Sequence, residues 1–395
     1  MVAQSDRSTV HWQAIDALRG FAAIWVVLYH IWINLYPMGS SQADAVTWSF
    51  DQPWHFYPTF FLFQYGYYGV TIFFVVSGFC IHWPQAIRKQ KTGSDDLRLA
   101  TFYQRRFWRL YPPYFVSLFV AALAMGLMRL QDYAQKGWPL PLPENFYWEA
   151  FATQAILINA LFLSPFVTAA QRDLNGVYWT LVFELQFYLL YPLLLWCMRR
   201  AGLLIVGMVL FAAEVVLLPQ PASITGGGEV GPWWYFCISR YFEWYLGVIA
   251  AELVARKSEQ PLRNWYWVLF GLLSAFSLGA VFHPVAWPWR DLAVASATFF
   301  LLLAVLQEES PQPTSRWVQF LAWLGLFSYS LYLIHLPVLR LIHLGNFYIA
   351  NFLGVPSWHV WMILGGIPMV VGLAWCFFLA FEKPFLHKKA ATASS

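Results

Sequence analysis

Charged residues are scarce in this chain of 395 residues. Lys, Arg, Asp and Glu together make up 11% of it, whereas 59% is hydrophobic and 20% is aromatic. Soluble domains carry about 25% charged residues, so the composition excludes an ordinary soluble domain. The apolar residues occur in blocks of about 18 to 25, the length at which a helix crosses a bilayer.

Cysteine is also scarce. The chain has four, and none has the paired spacing of a zinc or iron–sulfur site. We therefore expect neither a disulfide nor a bound metal. The net charge of +4 comes from basic residues that follow the ends of the apolar blocks rather than forming a patch, so no nucleic-acid partner is expected.

The alternating pattern of a membrane barrel is absent, and open sheet edges would leave backbone groups unpaired in lipid. The predicted fold is therefore all-α, a polytopic transmembrane bundle of about ten helices. The predicted spans are 17–37, 57–83, 105–128, 178–198, 201–218, 234–254, 264–282, 291–307, 319–343 and 358–380.

Basic residues predict the topology. Most of the 24 Lys and Arg residues fall in inside segments if the N-terminus is cytoplasmic, as the positive-inside rule requires. Both termini are then cytoplasmic, and residues 1–395 form one transmembrane domain with an inside segment at 1–14 and an inside tail at 381–395. The bacterial inner membrane is the expected location. On the outside, Ala150–Val167 is predicted to be an interfacial or re-entrant helix above the bundle.

The first span contains two ionisable residues, which are costly in lipid and are therefore functional candidates. Arg19 and His30 are eleven residues apart, so they project from one side of a helix, about 16 Å apart along its axis. His30 is a candidate catalytic residue, and a packing role with a hydrogen bond to a neighbouring helix is the alternative. For Arg19, anchoring at the cytoplasmic surface explains the residue equally well.

The third span begins with an arginine cluster, Arg105, Arg106 and Arg109, whose first and last members share a helix face. Two prolines that follow are expected to kink the helix and open a space near the cytoplasmic surface. Arginine binds phosphate through forked, charge-assisted hydrogen bonds, so the cluster is a candidate phosphate site. Anchoring is again the alternative.

Later spans add the other embedded polar groups. Glu184 in the fourth predicted span is a candidate catalytic residue or a structural partner of an arginine or histidine. His335 in the ninth is a second intramembrane histidine, with Tyr332 one turn before it. Arg240 and Glu243 form a further charged pair, for which a structural role is predicted.

Six motifs resemble, in order, those of the integral membrane acyltransferases called acyltransferase family three. The resemblance covers nearly the whole chain. The motifs are Asp16-Ala17-Leu18-Arg19-Gly20 with His30, Gly69–Phe79, Arg105-Arg106 with Arg109, Tyr111 and Pro112, Trp179 with Glu184, Phe187 and Tyr188, Ser328–His335, and Glu382-Lys383-Pro384.

The resemblance implies transfer of an acyl group, commonly acetyl from acetyl-CoA, to a hydroxyl of a sugar or glycan. His30 is then the expected general base, with Glu184 as its orienter or charge partner and His335 beside the acceptor. Direct transfer and an acyl-enzyme relay both fit. The other expected contacts are Arg19, Arg105, Arg106 and Arg109 with the phosphates of acyl-CoA, and Tyr332 and Trp179 with the substrate.

Two other functions would use similar residues. A transporter or flippase of a glycan or acyl precursor also needs embedded histidine, arginine and glutamate, but no inverted repeat or paired broken helix is evident. A glycosyltransferase that uses a lipid-linked sugar would need acidic residues in an outer loop. Those in the longest outer segment are scattered without a paired motif: Asp132, Glu144, Glu149 and Asp173.

Overall fold

The apolar blocks form helices, and no strand occurs in the part of the chain that the computed structural model describes. The prediction of an all-α fold is confirmed. The described residues are 12–35, 63–94, 96–135, 153–163, 174–217, 234–256, 263–280, 286, 289–306, 315–353 and 365–387. Parts of the predicted spans 57–83 and 358–380, both chain ends, and three of the outer acidic residues lie outside these ranges: Glu144, Glu149 and Asp173.

The helices follow the predicted blocks in chain order. They are α1 Trp12–Leu35, α2 Tyr68–Thr92, α3 Leu99–Gln135, α4 Thr153–Ala160, α5 Trp179–Val216, α6 Trp234–Ala255, α7 Arg263–Ala280, α8 Arg290–Leu306, α9 Arg316–Leu326, α10 Ser328–Leu353, α11 Ile367–Phe377 and α12 Lys383–His387. A 3₁₀ turn, Gln64–Tyr67, leads into α2, and a π-helical turn, Phe378–Glu382, joins α11 to α12.

Five helical segments within the described ranges are long and apolar enough to cross a membrane: Trp12–Trp32, Gln64–Thr92, Leu99–Gln131, Trp179–Val216 and Ile367–Leu386. A sixth follows if α9 and α10, bent by 76° at their junction, form one broken span. The protein is therefore an integral membrane protein built as a helical bundle. Ten spans and cytoplasmic termini remain predictions.

Helix α5 joins two predicted spans. It runs from Trp179 to Val216, but Gly202 has a φ of 83° and a ψ of 163°, which breaks the helical conformation. Glycine reaches this region at little cost because it has no Cβ. The predicted boundary between spans 178–198 and 201–218 lies at this break.

Helix α3 continues through its two prolines as one helix from Leu99 to Gln135. The short helix α4, from the predicted outer segment Ala150–Val167, packs against its side. The Tyr111 hydroxyl donates to the Ala160 carbonyl at 3.3 Å, and the Tyr114 hydroxyl donates to the Asn159 carbonyl at 2.8 Å. Helix α4 therefore lies beside α3, and its interfacial or re-entrant position stays a prediction.

Packing brings five helices together around one space. Helix α1 contacts α2, α9 and α10. Helix α2 also packs along α6, and α3 packs on α10. Three apolar clusters fill the bundle around α1 with α10, α2 with α6, and α2 with α5. Between these clusters, polar side chains from α1, α2, α3, α5 and α10 face one cavity.

The contact between α1 and α9 is close enough to require glycine. A Cβ on Gly20 would lie 1.8 Å from the Leu321 carbonyl oxygen, inside van der Waals distance. We expect Gly20→Ala to destabilise the protein by about 1 to 3 kcal/mol, because the two backbones must separate. Thermal unfolding of the purified protein in detergent measures this.

Gly271→Ala in α7 is the matched control, because a Cβ there meets no atom within 4 Å. Alanine favours a helix over glycine by up to about 1 kcal/mol, so this variant should match or exceed the parent in stability. Equal midpoints for the two variants would contradict the close packing at Gly20.

Candidate active site

The cavity between the five helices has a volume of about 170 Å³. Its polar lining comes from helices distant in sequence, and its remaining wall is apolar or aromatic. Within the described ranges, no group of three or more His, Cys, Asp or Glu side chains is arranged to hold a metal ion. The lining residues that carry polar groups are Arg19, Ser77, Cys80, Arg106, Arg109, Thr180, Glu184, Tyr188, Ser328, Tyr329 and Tyr332. We call this space the arginine cavity.

Three of the four predicted phosphate ligands, Arg19, Arg106 and Arg109, line the arginine cavity. Arg19 also lies 3.7 Å from the Asp16 carboxylate, one turn earlier on α1. The fourth, Arg105, lines a neighbouring cavity instead, which Arg106 shares. The spacing of Arg105 and Arg109 on one helix face therefore did not place them in one cavity, whereas Arg106 reaches both.

Arg106 has no ion-pair partner among the described residues. Its Nε is buried without a hydrogen-bond partner, and among the described residues no carboxylate lies within ion-pair distance of its guanidinium. The guanidinium instead lies over two aromatic rings, 5.4 Å from the centre of Phe102 and 5.7 Å from that of Tyr188. An arginine whose Nε is buried without a partner, and which lines two cavities, is suited to bind an anionic ligand.

Arg109, in contrast, is held by a carboxylate. Its Nη1 lies 2.9 Å from Glu382 Oε1, and the second oxygen of Glu382 accepts the Ser330 hydroxyl at 2.5 Å and the Ser330 backbone N–H at 3.2 Å. Only 1% of Glu382 is exposed. The closing motif of the sequence thus joins α3 to α10 and fixes Arg109 at the cavity wall.

Glu184 lies across the cavity on α5. Its Oε1 accepts hydrogen bonds from the Tyr188 hydroxyl and, at 3.4 Å, from the Ser77 hydroxyl, which in turn is 3.4 Å from the indole N–H of Trp244. Among the residues that the structure describes, His335 and not Glu184 contacts the His30 ring. Glu184 is therefore the acidic group of the arginine cavity.

Tyr332 closes the end of the cavity. Its hydroxyl accepts a hydrogen bond from the Thr180 hydroxyl at 2.8 Å and donates to the Val177 carbonyl at 3.1 Å, and Phe73 packs edge-on against its ring. These bonds tie α10 to the start of α5. The Tyr332 ring also packs against His335, one turn further along α10, so it connects the cavity lining to the histidine.

The two embedded histidines are in contact, although 305 residues separate them. His335 Nε2 lies 3.3 Å from His30 Nδ1, and the ring centroids are 4.9 Å apart. His335 Nδ1 donates to the Tyr332 carbonyl at 2.7 Å, and His30 Nδ1 donates to the Val26 carbonyl at 2.9 Å. These bonds assign the proton of each neutral ring to Nδ1. The lone pair of His30 is then on Nε2.

The predicted substrate residue Trp179 is 42% exposed at the start of α5 and packs edge-on against Phe183. It does not line the arginine cavity. The structure therefore brings His30, His335 and Tyr332 together, whereas Trp179 is not among the residues that line the arginine cavity.

A separate buried charge cluster surrounds Arg240. This side chain pairs with Glu243 at 2.6 Å, as predicted, and also with Asp291 of α8 at 2.7 Å, which local spacing could not reveal. Glu243 is 1% exposed. The ion pairs join α6 to α8 outside the arginine cavity, which supports the predicted structural role.

We expect Asp291→Asn to lower stability by about 2 kcal/mol, because Arg240 would lose one of two buried charged hydrogen bonds. The rate of acyl transfer per folded molecule should stay unchanged. Thermal unfolding and activity of the same preparation test both statements. If the variant has the unfolding midpoint of the parent protein but no activity, Asp291 takes part in catalysis.

Sequence reasoning missed several buried polar groups, and His82 is one of them. His82 of α2 is 1% exposed, with Nδ1 2.9 Å from the Tyr191 hydroxyl and Nε2 3.0 Å from Glu252 Oε1. The same rule that selected His30, a histidine inside an apolar helix, applies to His82. Its partners lie on α5 and α6, and Tyr191 lines the cavity that contains Arg105.

Together, the described helices form a bundle around an internal cavity that three arginines line. A family model described as "Acyltransferase domain" matches residues 12–379. The chain belongs to this acyltransferase family, so the resemblance of its motifs is confirmed, and the protein is an enzyme of the acyltransferase class.

Curated relatives support the same class. The chain is 24% identical to acyltransferase MdmB of Streptomyces mycarofaciens, over 70% of this chain and 69% of that protein. It is 30% identical to nodulation protein 10 of Rhizobium leguminosarum bv. viciae, over 54% and 53%. It is 25% identical to peptidoglycan O-acetyltransferase OatA of Listeria monocytogenes, over 83% and 49%. The match thus spans about half the length of the last two relatives. No solved structure matches the chain.

Proposed function

We propose that the protein transfers an acyl group, acetyl in the first instance, from acyl-CoA to a hydroxyl of a sugar or glycan. The observation that carries the proposal is the convergence of Arg19, Arg106 and Arg109 on one cavity whose far wall, Tyr332, packs against His335. A relative named as a peptidoglycan O-acetyltransferase supports acetyl as the group and a glycan as the acceptor. A bacterial inner membrane is the proposed location.

The donor fits the division of the cavity into a charged and an apolar part. Coenzyme A has an anionic phosphate end and a long, thin arm that ends at the thioester. Arg106 would bind the phosphates by forked hydrogen bonds, and the arm would follow the wall formed by Leu110, Leu181 and Phe73. Tyr332 would then lie beside the acyl group, one turn before His335.

The histidine pair supplies the base. Because His30 Nδ1 donates to the Val26 carbonyl, the lone pair on Nε2 is the one that can accept the proton of the acceptor hydroxyl. When it does, the charged ring still has two acceptors for its Nδ1–H, the Val26 carbonyl and His335 Nε2. His335 is thus a positioning residue, which holds the His30 ring in the tautomer that catalysis needs.

Transfer then follows in one balanced sequence. As His30 Nε2 takes the hydroxyl proton, the acceptor oxygen forms a bond to the thioester carbonyl carbon, and the carbonyl electrons move to its oxygen. The carbon–sulfur bond breaks when these electrons return, which leaves the ester and the thiolate of coenzyme A. The imidazolium of His30 returns its proton to the thiolate, so the base is regenerated.

Incubation of the purified protein with acetyl-CoA labelled in the acetyl group, together with candidate glycans, tests the proposal. Label should appear in the glycan as an alkali-sensitive ester, and one free thiol should form for each ester. In proteoliposomes, movement of intact glycan across the membrane without label transfer would instead identify a transporter.

A further inference from the structure

A second cavity lies between α2 and α3, next to the arginine cavity, with a volume of about 640 Å³. It is the more polar of the two, since four arginines line it. They are Arg88 near the end of α2, Arg98 just before α3, and Arg105 and Arg106 within α3. No motif of the resemblance contains Arg88 or Arg98.

The positions of these arginines on α2 and α3 explain why they line the same cavity. Arg98 and Arg105 are seven residues apart, so they share a face two helical turns apart, and Phe102 between them also lines the cavity. Arg88 is fixed from the opposite side, because its Nη1 donates to the Asp96 backbone carbonyl at 2.9 Å. Asp96 also lines the cavity, and its carboxylate accepts a hydrogen bond from the Ser94 hydroxyl at 3.3 Å.

Most of these arginines have no ion-pair partner in the part of the chain that the structure describes. Among the residues that the structure describes, Arg88, Arg98 and Arg105 have no carboxylate within ion-pair distance, and Arg106 has a buried Nε without a partner. Anchoring in the cytoplasmic half of a membrane would explain exposed arginines. It does not explain why Arg106 is only partly exposed, lines both cavities and has a buried Nε without a partner.

Coenzyme A carries two separate anionic groups, the pyrophosphate at the base of its arm and a phosphate on the 3′-hydroxyl of its ribose. If the arm occupies the arginine cavity, Arg106 at the junction is in place for the pyrophosphate, and the nucleotide extends into the second cavity. We infer that Arg88, Arg98 and Arg105 form a subsite for the 3′-phosphate. This inference rests on the proposed function and names the group by which the donor is selected.

The subsite predicts a preference for coenzyme A over its 3′-dephospho form. By calorimetric titration of the purified protein in detergent, coenzyme A should bind about tenfold more tightly, the effect of one hydrogen-bonded charge pair. In Arg88→Gln/Arg98→Gln/Arg105→Gln the affinity for coenzyme A should fall to that for the dephospho form. The affinity for the dephospho form itself should not change.

Arg200→Gln is the control, since this exposed arginine lies outside both cavities and stacks on Trp196. It should keep the parent preference, whereas a general effect of cytoplasmic charge would weaken it as well. Equal binding of the two ligands by the parent protein would overturn the subsite and leave the proposed function intact. If the parent protein binds neither ligand, the proposed donor itself is wrong.

Discussion

Replacement of His30 by alanine is expected to lower the rate of acyl transfer by about 10²- to 10⁴-fold, the usual contribution of a general base. The variant lacks Nε2, whose lone pair would accept the proton of the acceptor hydroxyl. KM for acetyl-CoA should change little, because the arginines that would bind the phosphates lie in a cavity that His30 does not line. Initial rates of ester formation at varied acetyl-CoA measure both constants.

His335 provides the comparison. His335→Ala removes one of two acceptors for the His30 Nδ1–H, but the Val26 carbonyl remains at 2.9 Å. The loss in kcat should therefore be smaller than for His30→Ala, with KM for the donor again unchanged. If the two variants lose activity equally, His335 acts directly on the substrate. If His30→Ala transfers acetyl at the parent rate, the proposed base is wrong.

The cost of placing polar groups in lipid makes several of these residues predictable from sequence. A histidine or arginine inside an apolar helix is unfavourable there, so the sequence alone marks His30, His335 and Arg106 as candidates. Helix length and the absence of strands among the described residues follow from the apolar blocks in the same way. These properties depend on residues that are close in sequence, which is why local patterns determine them.

Partners that are distant in sequence were not predictable. His30 and His335 meet because α1 and α10 pack together, and at a sequence separation of 305 no local pattern signals that contact. Glu184 was expected beside His30, but its hydrogen bonds go to Tyr188 and Ser77. The ion pair between Asp291 and Arg240 was unpredictable for the same reason, because α6 and α8 become neighbours only in the folded bundle.

Replacement of Arg106 is expected to have the second large effect. Arg106→Gln should weaken coenzyme A binding about 10- to 100-fold, because one or more charge-assisted hydrogen bonds to phosphate are lost. Calorimetric titration with coenzyme A measures the change. Arg316→Gln, at the exposed start of α9, removes an arginine outside both cavities and should bind as the parent does.

Arg106→Lys separates a phosphate ligand from an anchoring charge. Lysine keeps the positive charge but has no planar fork, and its ammonium is more strongly hydrated than a guanidinium. It therefore cannot reproduce both the two hydrogen bonds to phosphate and the stacking on Phe102 and Tyr188. We expect Arg106→Lys to recover only part of the affinity lost in Arg106→Gln. Full recovery would mean that charge alone matters at this position, as anchoring at the cytoplasmic surface requires.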